Sequence, residues 1–413
     1  MGMRAPACVC VLVAIAAAIP QGPAWPQFGG PAGDFTLPGR PLAVEWSEGP
    51  VVRWSRDLGE GFSGIAVDVD SLFTMYRRGD EEIIVALEAA TGRTRWEHGM
   101  AAPAHQDQDF SQGPGPHATP LVAGGVVCGA GATARLRCLD AATGRLLWSR
   151  DLVAEFGATI VYRGYSSSAV AHGDAVIVQA GGTGQAVMAF DRRSGKPLWR
   201  SGNYANTNAS PALLDLGGKR QLVTFMRDVV AGFDPDTGAE LWSHPHPQRF
   251  KDNIAKPIPL GDDTIVVTSS LDGGTRALTI SRREGAWRAE ERWHQPRAGA
   301  YYTNAVAVGG LVVLSSGGVG PTIFSGIHSG TGDVVWQSRE LVRSQILVVG
   351  DRLLLRDETG GLTLATADPS GVRVLTRATI LAEGAPSPPT LVGTTLFARD
   401  RTRILAIDLA NVK

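Results

Sequence analysis

The sequence predicts an all-β fold: an eight-bladed β-propeller of four-stranded antiparallel blades, with the ring closed by N- and C-terminal strands. Three observations lead there. A turn followed by a tryptophan recurs along the chain. Successive recurrences are 39 to 52 residues apart, the length of one propeller blade. The stretches between them alternate apolar and polar residues and are cut by Gly-containing turns at short intervals, which indicates strands joined in a meander.

The first element is a targeting segment. Arg4 precedes the apolar run Val9 to Ile19, and small residues follow, so residues 1–24 read as a secretory signal peptide cleaved near Ala24. The run is too short for a comfortable membrane span. Cys8 and Cys10 lie before or within it, whereas an acylated cysteine would follow it, so the expected product is an exported, monomeric protein of the periplasm or the exterior, without a membrane anchor. Lys plus Arg number 39 against 40 Asp plus Glu, which gives no reason to expect nucleic acid as a partner.

Residues 25–41 form a lead-in, and residues 42–413 form the propeller. Five strong copies of the repeat are "LEAATGRTRW", "LDAATGRLLW", "FDRRSGKPLW", "FDPDTGAELW" and "IHSGTGDVVW", ending at Trp96, Trp148, Trp199, Trp242 and Trp336. Trp54 and Trp293 lack the full turn, and Leu375 replaces the tryptophan after "ADPSG". In this turn an Asp or Ser can hydrogen-bond backbone amides just ahead and the Gly supplies a positive φ, which fixes the register of the last strand. That strand then carries the tryptophan to the neighbouring blade, as a structural dock. In the third full unit the four strands are expected at Ser166–Ala171, Ala175–Ala180, Gln185–Asp191 and Lys196–Ser201. The chain ends on "RILAIDLANVK", a blade without its last strand, while "PVVRWSRDL" near the start is a last strand without predecessors. One blade built from both ends leaves no open edge.

The pattern D-x-x-T-G-x-x-x-W resembles the tryptophan-docking repeat of the quinoprotein-like (PQQ-like) propellers, and "WPQFGGPAGDF" is similar to a "WPQFRGP" start found among them. The resemblance covers nearly the whole mature chain. It implies the propeller fold and two kinds of function, because the family includes pyrroloquinoline quinone (PQQ) alcohol dehydrogenases and BamB, an outer-membrane assembly lipoprotein. The preferred expectation is an exported, non-catalytic binding or scaffold protein, BamB-like, with protein partners in the cell envelope. The alternative is a minimal quinoprotein holding PQQ or another small anionic ligand, with dehydrogenase activity if it is an enzyme. The sequence departs from the dehydrogenase pattern: it has no adjacent Cys-Cys pair, it is shorter, and no Asp or Glu is expected in the central funnel. No cofactor is therefore expected, with PQQ kept as the alternative.

First strands line a propeller's channel, so residues near their starts converge. One ring reads Ser63, Thr119, Ser168, Ser210, Lys256, Asn304, Gln345 and Pro388; two residues earlier stand Gly61, His117, Ser166, Asn208, Ile254, Tyr302, Arg343 and Pro386. The ligand-binding candidates are His117, Asn208, Lys256, Tyr302, Asn304, Arg343 and Gln345, suited to an anionic or carbonyl-bearing small molecule. The same residues would equally serve as a wetted channel wall. No catalytic residue and no metal site is assigned. The loop His105 to His117 contains Asp107 and Asp109 and would bind a metal only if it folded inward, and the histidines of "SHPHPQRFKDN" read as surface groups. The stretches Met100 to Pro116 and Arg200 to Ser210, with Phe110 and Tyr204, are expected as loops that could contact a partner. Cys128 and Cys138 flank a hairpin centred near Thr133; a symmetric register allows a disulfide in an oxidising compartment, and two buried thiols are the other outcome.

Overall fold

The computed structural model describes residues 24–46, 49–103, 113–249, 252–270, 272–316, 321–384 and 387–412. These form eight antiparallel sheets arranged as blades. Seven have four strands. The blade containing Ser344–Val349 gains a fifth from the lead-in segment. The last blade pairs Pro50–Asp57 with Arg403–Val412, so the ends of the chain close the ring through a strand ladder. Among the described residues no helix is long and apolar enough to cross a membrane.

The repeated turn works as a two-sided joint. Asp140 Oδ1 accepts from Thr143 N at 3.0 Å and Thr143 Oγ1 at 2.8 Å, fixing the turn. Gly144, at φ +72, brings its backbone against the Trp96 ring of the preceding blade; an added Cβ would stand 2.5 Å from that ring. Trp148, carried on the strand that follows, reaches the next blade. Six of the seven docking tryptophans donate Nε1 to a turn carbonyl one blade on: Trp54 to Ala89, Trp96 to Ala141, Trp148 to Arg192, Trp199 to Pro235, Trp293 to Ser329 and Trp336 to Asp368. Trp242 departs from this. Its neighbour is a long hairpin, Gly274–Arg283 with Ala286–Gln295, that lacks the Asp-x-x-Thr-Gly turn, and Trp242 Nε1 donates instead to Gln221 Oε1 in its own blade at 2.7 Å. Trp287 of that hairpin lies over Gly217 of the preceding blade.

Where the ring closes between chain ends, buried arginines join the blades. Arg399 is fully buried and donates to Met75 O at 2.7 Å and Gly59 O at 3.3 Å, while Arg356 donates to Arg399 O at 3.4 Å. A buried guanidinium is costly unless its donors find acceptors; backbone carbonyls take those of Arg399, whereas Arg356 keeps a buried Nε without a partner.

The innermost strands are shorter than the sequence suggests. In the third full unit the strand is Val170–His172, so Ser166 to Ala169 precede the ladder. The space inside these short strands is crossed by the lead-in. Trp25 bridges Val67, Pro26 O accepts from Val122 N at 2.8 Å, and Thr36–Leu37 pairs in parallel with Val348–Val349. Trp25, Phe35 and Leu37 are buried in the core these contacts form. The lead-in therefore runs through the central channel and obstructs it.

Candidate functional site

Above the lead-in lies a cup of about 410 Å³, with Phe28 of the lead-in in its lining. All seven candidate residues, His117, Asn208, Lys256, Tyr302, Asn304, Arg343 and Gln345, line it. Their side chains do different things.

Asn304 is committed to joining blades: its Nδ2 donates to Ile346 O at 2.9 Å and its Oδ1 accepts from Ile346 N at 3.0 Å. Thr119, Ser168 and Ser210 make a similar chain, Thr119 N donating to Ser168 Oγ and Ser168 N to Ser210 Oγ, both at 2.9 Å. Asn208 braces the wall, accepting from Ser166 Oγ at 2.7 Å and donating to Asp252 Oδ1 at 3.2 Å. Burial raises the pKa of Asp252, which also accepts from Tyr301 OH at 3.1 Å. Lys256 is buried and donates to Phe28 O at 3.0 Å, which ties the lead-in to the wall; desolvation pulls its ammonium down to about 8.

The other four present groups to the cup. His117 stacks on Phe62 with ring centroids 5.7 Å apart and planes at 6°, and burial holds its imidazole down to about 4, so it is neutral at pH 7. Tyr302 packs on Tyr301 and accepts from Arg163 Nη1 through its hydroxyl. Arg343 Nη1 donates to Glu358 Oε2 at 2.9 Å. Gln345 Nε2 donates to Tyr302 O at 2.9 Å, which orients its amide.

Phe28, Phe62, Arg163, Glu358 and Glu383 also line the cup and were not read from the sequence. The two glutamates correct the expectation of a funnel without carboxylates. Glu358 arrives from the turn after Arg352–Asp357 and Glu383 from the loop after Gly371–Thr379, neither of which is the start of a first strand. Arg163 arrives from the irregular loop that follows a short helix, Leu152–Phe156, and its guanidinium lies 5.1 to 5.9 Å from the ring centroids of Tyr162, Tyr301 and Tyr302. Only Phe62 had a local signal, its position beside Ser63.

Two other expectations change, and the alternative left open at the cysteine pair is resolved. Arg200–Tyr204 continues the strand Pro197–Tyr204, and Tyr204 OH donates to Glu240 Oε1, so this stretch is not a projecting loop. His246 is fully buried, not a surface group; it pairs with Ser269 Oγ at 2.8 Å. Cys128 and Cys138 stand directly opposite on paired strands and form a disulfide. His105, Asp107, Asp109, Phe110 and Pro386 lie outside the described residues, as do nearly all of the targeting segment and its cysteines. Among the described residues no cluster of three or more His, Cys, Asp or Glu could hold a metal ion.

The quinohemoprotein alcohol dehydrogenase ADH-IIG of Pseudomonas putida is 28% identical over 162 residues, 38% of this chain. The match spans 21% of that relative's length. Among solved structures, BamB from Moraxella catarrhalis superposes with a TM-score of 0.62 at 16% identity, covering 87% of this chain and 99% of that one. The quinohemoprotein alcohol dehydrogenase from Comamonas testosteroni gives 0.62 at 12% identity, covering 95% of this chain and 81% of the other. At these identities the superpositions show a shared fold. The family model described as "Outer membrane protein assembly factor BamB" matches residues 43–187, 79–338 and 183–412 in overlapping stretches, and the chain belongs to this family of PQQ-like repeat propellers.

Proposed function

We propose that this protein is an exported propeller of the cell envelope that works by binding rather than by turnover, and that the cup receives a small polar molecule. The carrying observation is the lead-in beneath it. Lys256 fastens Phe28 under the cup, so a channel that would run through the ring becomes a blind recess of a size suited to a small ligand. The donor set argues against a quinone held with a divalent cation. Such a cation takes six to eight oxygen ligands, and among the described residues the carboxylates lining the cup are Glu358, already paired with Arg343, and the exposed Glu383. The test is calorimetric titration and thermal shift of the exported chain with PQQ plus Ca²⁺, dicarboxylates and neutral sugars. Binding of any one supports the cup as a site, and silence from the whole panel rejects it.

Family membership favours a second reading, a scaffold in outer-membrane protein assembly, because the BamB fold aligns over 99% of its own chain. Affinity purification from detergent-solubilised envelopes tests it. Repeated capture of outer-membrane assembly components supports the role, and none above background removes it.

A further inference from the structure

The wall of the cup formed by Arg343, Gln345, Glu358 and Glu383, all within the last fifth of the chain, carries polar groups whose needs narrow the ligand. Gln345 is 6% exposed, its amide is oriented by the bond from Nε2 to Tyr302 O, and its Oε1 is a buried acceptor without a partner. Burying an acceptor without a donor is unfavourable, so an entering donor would be stabilising there. Two residues earlier, Arg343 offers the reverse: Nη1 is used by Glu358, and Nε has no acceptor. Glu358 is one-third exposed and contributes further acceptor capacity.

Charge does not favour a simple anion at this wall. The guanidinium of Arg343 is neutralised by Glu358, Glu383 adds a second negative group, and the two other cations of the lining, Arg163 and Lys256, already donate to Tyr302 OH and Phe28 O. A carboxylate entering here would meet two carboxylates, and an amine would meet Arg343. A hydroxyl both donates and accepts, and satisfies either kind of group without a charge of its own. The rest of the lining supplies flat apolar surface: Phe28 from the lead-in, the Phe62–His117 stack and Tyr302. A pyranose ring has a C–H face that packs on aromatic rings and an edge of hydroxyls.

We propose that the cup binds a neutral polyhydroxylated ligand, a saccharide of one or two rings, with hydroxyls donating to Gln345 and Glu358 and accepting from Arg343. This rests on the reading of the cup as a binding site and names its ligand class.

The test uses the exported chain in calorimetric titrations with maltose, cellobiose and diacetylchitobiose, and with succinate and PQQ as charged comparators. At least one saccharide is expected to bind with an affinity of about 1 mM or tighter, almost unchanged by added salt because the ligand carries no charge. Glu358→Gln and Gln345→Leu are each expected to weaken it about tenfold or more. Melting temperature is measured for both, and the partly exposed Glu358→Gln keeps the test valid if Gln345→Leu unfolds. Binding of succinate or PQQ without any saccharide would overturn the ligand class and leave the cup as a site. Saccharide binding indifferent to Glu358→Gln in a folded variant would also overturn it. No binding by any of the five would remove the cup as well.

Discussion

Trp148 docks on Gly195 of the next blade: a Cβ at Gly195 would stand 2.5 Å from the indole, and Trp148 Nε1 donates to Arg192 O at 2.8 Å. The turn glycine is thus the receiving surface for a tryptophan from the preceding blade as well as a residue of positive φ. Trp148→Ala is expected to destabilise the fold by about 3–5 kcal/mol, since the ring is 7% exposed and its loss opens a cavity between blades. Gly195→Ala should also lower stability, through its φ of +67 and the contact with the ring. Denaturant unfolding measures both; an unchanged midpoint for either would break the joint as described.

Lys256 makes the fold sensitive to alkaline pH in an unusual direction. Its folded pKa of about 8 lies below the ordinary 10.5, so between these values the unfolded chain binds more protons than the folded one. Stability should therefore rise with pH across that window, by an amount on the order of a few kcal/mol. Lys256→Met should abolish the rise and increase amide exchange in the lead-in strand Thr36–Leu37, since the tie to Phe28 O is lost. Thermal melts between pH 7 and 11 of both proteins compare the slopes.

His246 gives the acid counterpart. Burial, with Arg276 nearby, holds its imidazole down to about 3, against 6.5 when unfolded. The unfolded chain gains a proton first as pH falls, so stability is lost from about pH 6.5 downward, on the order of a few kcal/mol by pH 3. His246→Gln should flatten this limb while leaving stability near pH 8 comparatively little changed. An acid limb identical to the parent's would assign the loss to other groups, of which His117 is the next candidate.

The Cys128–Cys138 disulfide closes a short loop, with a sequence separation of 10 residues. Chain entropy assigns such a loop about 2–3 kcal/mol. The Cys128→Ala/Cys138→Ala double variant should lose that much in chemical denaturation. Both cysteines are almost fully buried, so in the intact protein the bond should resist reductant until the sheet opens. Rapid thiol release under native conditions would contradict this.

The sequence by itself determined the ring, the blade built from both chain ends and the identity of the docking residues. Each rests on interactions within one repeat or between neighbouring repeats: Asp140 binds Thr143 three residues on, and Trp148 reaches only the adjoining turn. Such contacts recur with the period and can be read from it. Even the exception at Trp242 had its sign in the sequence, because the following unit lacks the turn that would receive it.

What stands inside the ring depends on closure and not on any local pattern. The lead-in meets Val67, Val122, Lys256 and Val348 at once because closure brings those distant strands around one axis. Glu358, Glu383 and Arg163 enter the cup from unrepeated segments, whose direction follows from packing rather than from any period. The division of labour among the polar residues was likewise decided by the tertiary structure. Asn304 and Ser168 look from the sequence like Gln345 and Arg343, but the Asn304 amide and the Ser168 hydroxyl are engaged by Ile346 N and Thr119 N of neighbouring blades, and such a partner exists only once the blades are side by side.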